Sequence, residues 1–181
     1  MSFRNALRSG TADYHDVVDG LFGRFDMADR RQYIAFLSGH ARVLPAAEQA
    51  LERAGIDRLL PDWADRRRSQ MLRADMASLG LPMPPPIGLA AISSEDELWG
   101  AAYVIEGSKL GGAMLSKRVP SEFPSTYLAF QGPKGAIKAF MDRLDSANDV
   151  NRERAVDAAR SMFSAFRNAA KLELGIPLLD R

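Results

Sequence analysis

From residue 11 to residue 25 the apolar side chains are Tyr14, Val17, Val18, Leu21, Phe22 and Phe25. They recur at i, i+3, i+4, i+7, i+8 and i+11, which wraps one face of a 3.6-residue helix and cannot line one face of a strand. Thr11 reads as its N-cap. The same period returns along the chain. Residues 29–53 carry Tyr33, Ile34, Phe36, Leu37, Val43 and Leu44. Pro45 is expected to kink or split that helix, and Gly55 to end it. Residues 62–79 place Trp63, Met71, Leu72 and Met76 inward, with Gly80 as the stop. Four prolines, Pro82, Pro84, Pro85 and Pro86, make residues 81–88 an extended connector. Ser94 and Glu97 form a capping box that opens a helix over 95–119. A loop over 120–132 precedes two more helices, 134–145 and 149–174, the last with Val156, Ala159, Met162, Phe163 and Phe166. No strand pattern or internal repeat interrupts this series. The expectation is an all-α, single-domain, multihelical bundle over residues 1–181.

Composition narrows the chemistry such a bundle can hold. The chain has no Cys, which excludes disulfides, thiolate metal sites and a Cys nucleophile. It has 2 His, so a three-His metal site is impossible, and imidazole chemistry must use His15 or His40. Lys plus Arg is 24 against 23 Asp plus Glu, a net charge of +1, which argues against a nucleic-acid-coating protein. Residues 1–10 carry Arg4 and Arg8 without an apolar run, unlike a secretory signal. The nearest approach to a membrane span, 98–115, is broken by Glu106 and Lys109. A cytoplasmic protein with no membrane partner is expected.

The helix over 95–119 is unusual. Gly107, Gly111 and Gly112 fall inside it, each costing about 1 kcal/mol relative to Ala. Gly107 and Gly111 share a face, with Gly100 further along it. Either another helix packs closely there, or a flat ligand lies against bare backbone. A phosphate loop fits poorly, because no strand precedes and no Gly-Lys-Ser/Thr follows. On the first helix, His15 lies beside the apolar stripe with Asp19 at i+4. That pair suits an imidazole bound to a metal and oriented by a carboxylate, and it also suits an ordinary surface pair. His40, on a mixed face, reads as solvated or merely packed.

Two segments together carry a family resemblance. Leu7-Arg8-Ser9-Gly10-Thr11-Ala12-Asp13-Tyr14-His15 resembles the N-terminal signature of the heme oxygenase family, and Tyr103-Val104-Ile105-Glu106-Gly107-Ser108-Lys109-Leu110-Gly111-Gly112 is similar to its glycine-rich distal helix. The chain looks most like the bacterial branch associated with bacteriophytochromes. The resemblance implies that His15 is the axial ligand of heme iron and that Asp19 orients its ring. Gly107, Ser108, Gly111 and Gly112 would form the catalytic distal face. Arg8 would pair with a propionate, Lys138 would belong to a later basic cluster, and Tyr103, Phe163 and Phe166 would wall the heme pocket. Many members carry Asp where this chain has Ser108, and Ser-Gly-Gly in place of Leu110-Gly111-Gly112, which leaves the proton route and the site of ring opening open.

The implied activity is oxidative cleavage of heme b, at once cofactor and substrate, to biliverdin, CO and free iron with O2. Electrons would come from ferredoxin or an NADPH-dependent reductase, and a bacteriophytochrome would accept biliverdin. The basic runs Arg30–Arg31 and Arg66–Arg68 are candidate docking sites for an acidic ferredoxin. Two other readings stay open: a heme-binding carrier or sensor without turnover, and a heme-free helical interaction protein.

Overall fold

Ser2 accepts a hydrogen bond from the Asn5 amide and so starts the first helix, α1 (Phe3–Phe22), well before Thr11. This computed structural model describes residues 2–178; Met1 and residues 179–181, the ends of the expected 1–181 domain, lie outside the described residues. Thr11 is interior to α1. Its hydroxyl donates to the Leu7 carbonyl at 2.8 Å, satisfying itself within the helix instead of capping one. Gly10 does not break α1 because the last helix crosses there: a Cβ on Gly10 would stand 2.7 Å from Val156 Cγ1.

The next helices are α2 (Arg30–Ala41) and α3 (Leu44–Arg53), split where expected, with Pro45 in the first turn of α3. Two single-turn helices follow, α4 (Ile56–Leu59) and α5 (Trp63–Arg66), then α6 (Ser69–Ser78). The periodic segment 62–79 is thus two helices joined by an extended Arg67, with ψ near 145°. After the proline-rich connector comes α7 (Glu95–Ser116), whose Ser94 accepts from the Glu97 amide. Then come α8 (Thr126–Ala129), α9 (Ala136–Ser146) and α10 (Arg152–Glu173). No strand occurs among the described residues, and none of their helices is long and apolar enough to cross a membrane.

Helix α10 is the spine. It packs against α7, α1 and α2, burying Ala155, Ala159, Ala169 and Ala170 completely. Small residues let the helix axes approach, and Gly100 marks the tightest point. A Cβ there would lie 1.9 Å from the Ala155 carbonyl oxygen. Gly100 therefore serves packing, unlike Gly107 and Gly111, whose Cβ positions meet nothing within 4 Å.

Candidate functional site

Helices α1 and α7, with α2 and α10 beneath them, enclose a cavity of about 460 Å³. Its walls are mainly apolar: Val18 and Phe22 from α1, Phe36 from α2, Val104 and Leu115 from α7, Leu128, Met141, and Phe163 and Phe166 from α10. His15 stands at the α1 side with its side chain 56% exposed. Its Nδ1 lies 3.4 Å from Asp19 Oδ2 and 3.9 Å from Asp16 Oδ1, and its ring meets Phe163 edge-on at 5.8 Å. With Nδ1 turned to Asp19, Nε2 is the nitrogen left for a ligand.

The α7 wall is bare backbone at two successive turns. Gly107 and Gly111 line the cavity with no side chain, whereas Gly112 lies between cavity and core, where a Cβ would press the Leu128 carbonyl oxygen at 3.0 Å. Ser108 also lines the cavity, but its hydroxyl donates to the Ile105 carbonyl at 2.8 Å and accepts from Arg68 Nη2 at 2.5 Å. Tyr103 lines it as well. Burial pushes its phenol pKa up, opposed by the nearby Arg8 cation and by a Thr11 hydrogen bond.

Nine of the eleven residues expected at the site are thus brought to one cavity: His15, Asp19, Tyr103, Gly107, Ser108, Gly111, Gly112, Phe163 and Phe166. Arg8 is exposed and outside the cavity wall, near Tyr103. Lys138 is also outside it: its side chain is 81% exposed and paired with Asp142, one turn along α9, at 2.6 Å. That is a helix-surface ion pair worth a few tenths of a kcal/mol.

Three polar residues complete the cavity, and sequence reading gave none of them a role there. His40 is neither solvated nor merely packed: it lies among Phe22, Phe36 and Phe166, lines the cavity and holds Tyr127 Oη at 2.7 Å through Nδ1. The signal was present in the spacing Tyr33, Phe36, Leu37, His40, Leu44, which continues the apolar stripe of α2 through position 40. Arg68 reaches the same place. It is 1% exposed, with Nη2 on Ser108 and on the Ile105 carbonyl and its guanidinium over the Tyr127 ring. Its Nε has no hydrogen-bond partner. Arg66 is buried too, at 2%. Only Arg67 of this run faces solvent, so Arg66–Arg68 is not a docking surface.

Burial, reinforced by the Arg68 cation, lowers the His40 pKa from 6.5 to about 3. Between those values the unfolded chain binds a proton that the folded chain refuses, so His40 makes stability fall as pH drops below 6.5. The expected contribution to the slope is at most about 1.4 kcal/mol per pH unit. Urea unfolding at a series of pH values checks this: His40→Gln should flatten the curve between pH 6.5 and the acid limit, and parallel curves would refute it.

No family model matches the chain. A heme oxygenase of Xanthomonas campestris pv. campestris is 35% identical over 159 residues, covering 80% of this chain and 92% of the relative. The chain belongs to the heme oxygenase family. Heme oxygenase PigA of Pseudomonas aeruginosa is 30% identical over 190 aligned positions, covering 94% of this chain and 93% of that protein. The same heme oxygenase fold is seen in the NO- and CO-bound heme oxygenase of Neisseria meningitidis. It superposes with a TM-score of 0.83 at 23% identity, covering 98% of this chain and 94% of that one. The heme oxygenase of Leptospira interrogans gives 0.72 at 19% identity, covering 95% and 100%.

Proposed function

We propose that this heme oxygenase-family chain cleaves heme b to biliverdin, CO and free iron, using O2 and electrons from a ferredoxin or an NADPH-dependent reductase. One observation carries the reading. A half-exposed imidazole with Nε2 left for a ligand and a stretch of helix without side chains line the same apolar cavity. The fit is to a flat, largely apolar macrocycle bearing a metal. Among the described residues no group of three or more His, Asp or Glu could hold a bare ion, so the remaining ligands would come from the macrocycle.

Bound heme supplies both the iron that activates O2 and the ring that is opened. The chain supplies the rest. His15 would hold the iron through Nε2, with Asp19, 3.4 Å from Nδ1, on the side that would orient the ring. Gly107 and Gly111 would let a flat macrocycle lie against the α7 backbone. Tyr103, with Arg8 beside it, suits a carboxylate at the cavity edge. At the buried end His40 stays uncharged across the physiological range, so it offers a hydrogen bond without being a strong acid. His40 Nδ1 and Tyr127 Oη share one hydrogen bond at 2.7 Å, which leaves Nε2 for a water. Arg68 offers a fixed positive charge nearby.

The carrier or sensor reading draws on one feature: Ser108 spends its hydroxyl hydrogen on the Ile105 carbonyl instead of the cavity. Arg68 and His40 supply the donors that Ser108 does not, which favours turnover. We place the reaction in the cytoplasm, within a single domain spanning residues 1–181, with a bacteriophytochrome as a recipient of biliverdin.

Hemin titration followed by O2 and reductant tests the function, and Gly111→Leu tests the geometry. The leucine enters open cavity space, so stability should change by no more than about 1 kcal/mol. Turnover should fall by about tenfold or more, because the macrocycle can no longer seat against α7. Wild-type turnover in a folded Gly111→Leu variant would remove α7 from the site.

A further inference from the structure

The two glycines that open the α7 wall also deprive it of side chains to hold it in place. The turn Ile105–Lys109 is held from elsewhere. On its outer side Glu106 and Lys109 are fully buried, with Lys109 Nζ on Glu106 Oε1 at 2.5 Å. Arg66 Nη1 donates to Glu106 Oε2 at 2.8 Å and to the Ala136 carbonyl at 3.0 Å. On its inner side Arg68 Nη2 donates to the Ile105 carbonyl at 3.2 Å and to Ser108 Oγ at 2.5 Å.

Both guanidiniums come from one junction, and its backbone explains why. Arg67 is extended, with φ −64° and ψ 145°, so side chains alternate across it as along a strand. Arg66 and Arg68 turn toward α7, while Arg67 turns out to pair with Glu52 at 3.0 Å. The junction is itself anchored: Glu48 Oε1 accepts from the Arg68 amide at 2.7 Å, and Arg66 Nε donates to Asp62 at 2.8 Å. Burying a guanidinium is costly unless a carboxylate compensates. Arg66 has two carboxylates. The Arg68 guanidinium has a carbonyl, a hydroxyl and the Tyr127 ring, none of them a carboxylate. Stability alone does not account for that arrangement.

We propose that Arg66 and Arg68 are positioning residues that grip the Ile105–Lys109 turn from both sides, fix the height of Gly107 and Gly111 over the cavity, and thereby decide which edge of the macrocycle is opened. The proposal rests on the heme-cleavage reading for its last clause and on the ligand-free protein for the rest. The grip replaces, with hydrogen bonds to α7, the packing that the glycines gave up. It also explains why Ser108 can stand in a catalytic wall while its own hydrogen is committed elsewhere: its oxygen is a handle for Arg68.

The test uses Arg66→Met and Arg68→Met, with Arg66→Lys and Arg68→Lys as milder variants should the methionines fail to fold. Amide hydrogen exchange of the ligand-free protein reads the grip directly. Exchange across residues 105–111 should quicken by about tenfold while α10 stays as in the parent. In turnover, the minor biliverdin isomers should rise by about fivefold with hemin still bound. A generally destabilised chain would instead speed exchange everywhere and keep the isomer ratio. Exchange at 105–111 within twofold of the parent, or an unchanged isomer ratio in the folded variants, would overturn the proposal. A parent chain that binds no hemin would defeat the heme-cleavage reading and the isomer clause with it, while the exchange result would still decide the grip.

Discussion

His15→Ala is expected to fold like the parent and to lose heme turnover. The side chain is more than half exposed, beside Asp16, Asp19 and the edge of Phe163, so its removal should shift stability by no more than about 0.5 kcal/mol. The chemical consequence is far larger. With 2 His in the chain, and His40 holding Tyr127 through Nδ1 at the buried end, no second imidazole stands at the α1 mouth. Loss of the His15 nitrogen should weaken hemin binding on the order of 100-fold or leave a complex that no longer reacts. Added imidazole, entering the space left on α1, should restore the parent spectrum and part of the rate. The measurement is a Soret titration followed by single-turnover kinetics. Bleaching at the parent rate without imidazole would remove His15 from the iron. His40→Gln serves as the paired control and should still bind hemin with the parent spectrum.

The second large effect separates two glycines on one helix. Gly100→Ala should destabilise the chain by about 3 kcal/mol, because its Cβ would stand 1.9 Å from the Ala155 carbonyl oxygen and 3.1 Å from Ala158 Cβ. Backbone cannot move aside as a side chain can, so α7 and α10 would have to separate along their contact. At about 2–4 °C per kcal/mol for a chain of this size, the melting midpoint should fall by roughly 6–12 °C. Gly107→Ala is the opposite case. Its Cβ meets nothing within 4 Å, and helix propensity favours Ala by about 1 kcal/mol. Thermal unfolding of the two variants side by side should therefore move the midpoint in opposite directions. A Gly100→Ala chain as stable as the parent would mean that α7 and α10 do not approach as described.

The same pair shows what a sequence can and cannot reveal. Periodicity located the long helices, and Pro45 divided α2 from α3, because those signals are local. Glycine spacing put Gly100 and Gly107 on one face of α7, but only the partner tells them apart: α10 for one, open cavity for the other. Thr11 looked like a helix start because the cost of Gly10 within α1 is offset by Val156, far along the chain. Tyr103, Phe163, Phe166 and His15 were expected at the cavity from helix position and family resemblance, whereas Leu128 and Met141 were not. Nor was Arg68. A run of three arginines reads as solvated, and its division into two buried and one exposed depends on the extended Arg67. Tyr127 lies in a stretch with no long periodic pattern, so nothing local marked it. His40 was missed although it continues the stripe of Tyr33, Phe36 and Leu37.

These buried polar groups give the cavity two distinct ends. At the α1 mouth stand an imidazole and its carboxylate, suited to holding a metal. At the buried end stand a fixed cation, an uncharged imidazole and a phenol, suited to holding water without delivering a strong acid.

This cavity is expected to destroy the heme it binds. The most direct measurement is anaerobic hemin titration of the purified chain, followed by O2 with a ferredoxin system and analysis of the products. The expected result is a stoichiometric complex whose Soret band disappears as biliverdin, CO and chelatable iron appear together. A complex that binds hemin and then persists as intact heme under O2 and reductant would contradict it.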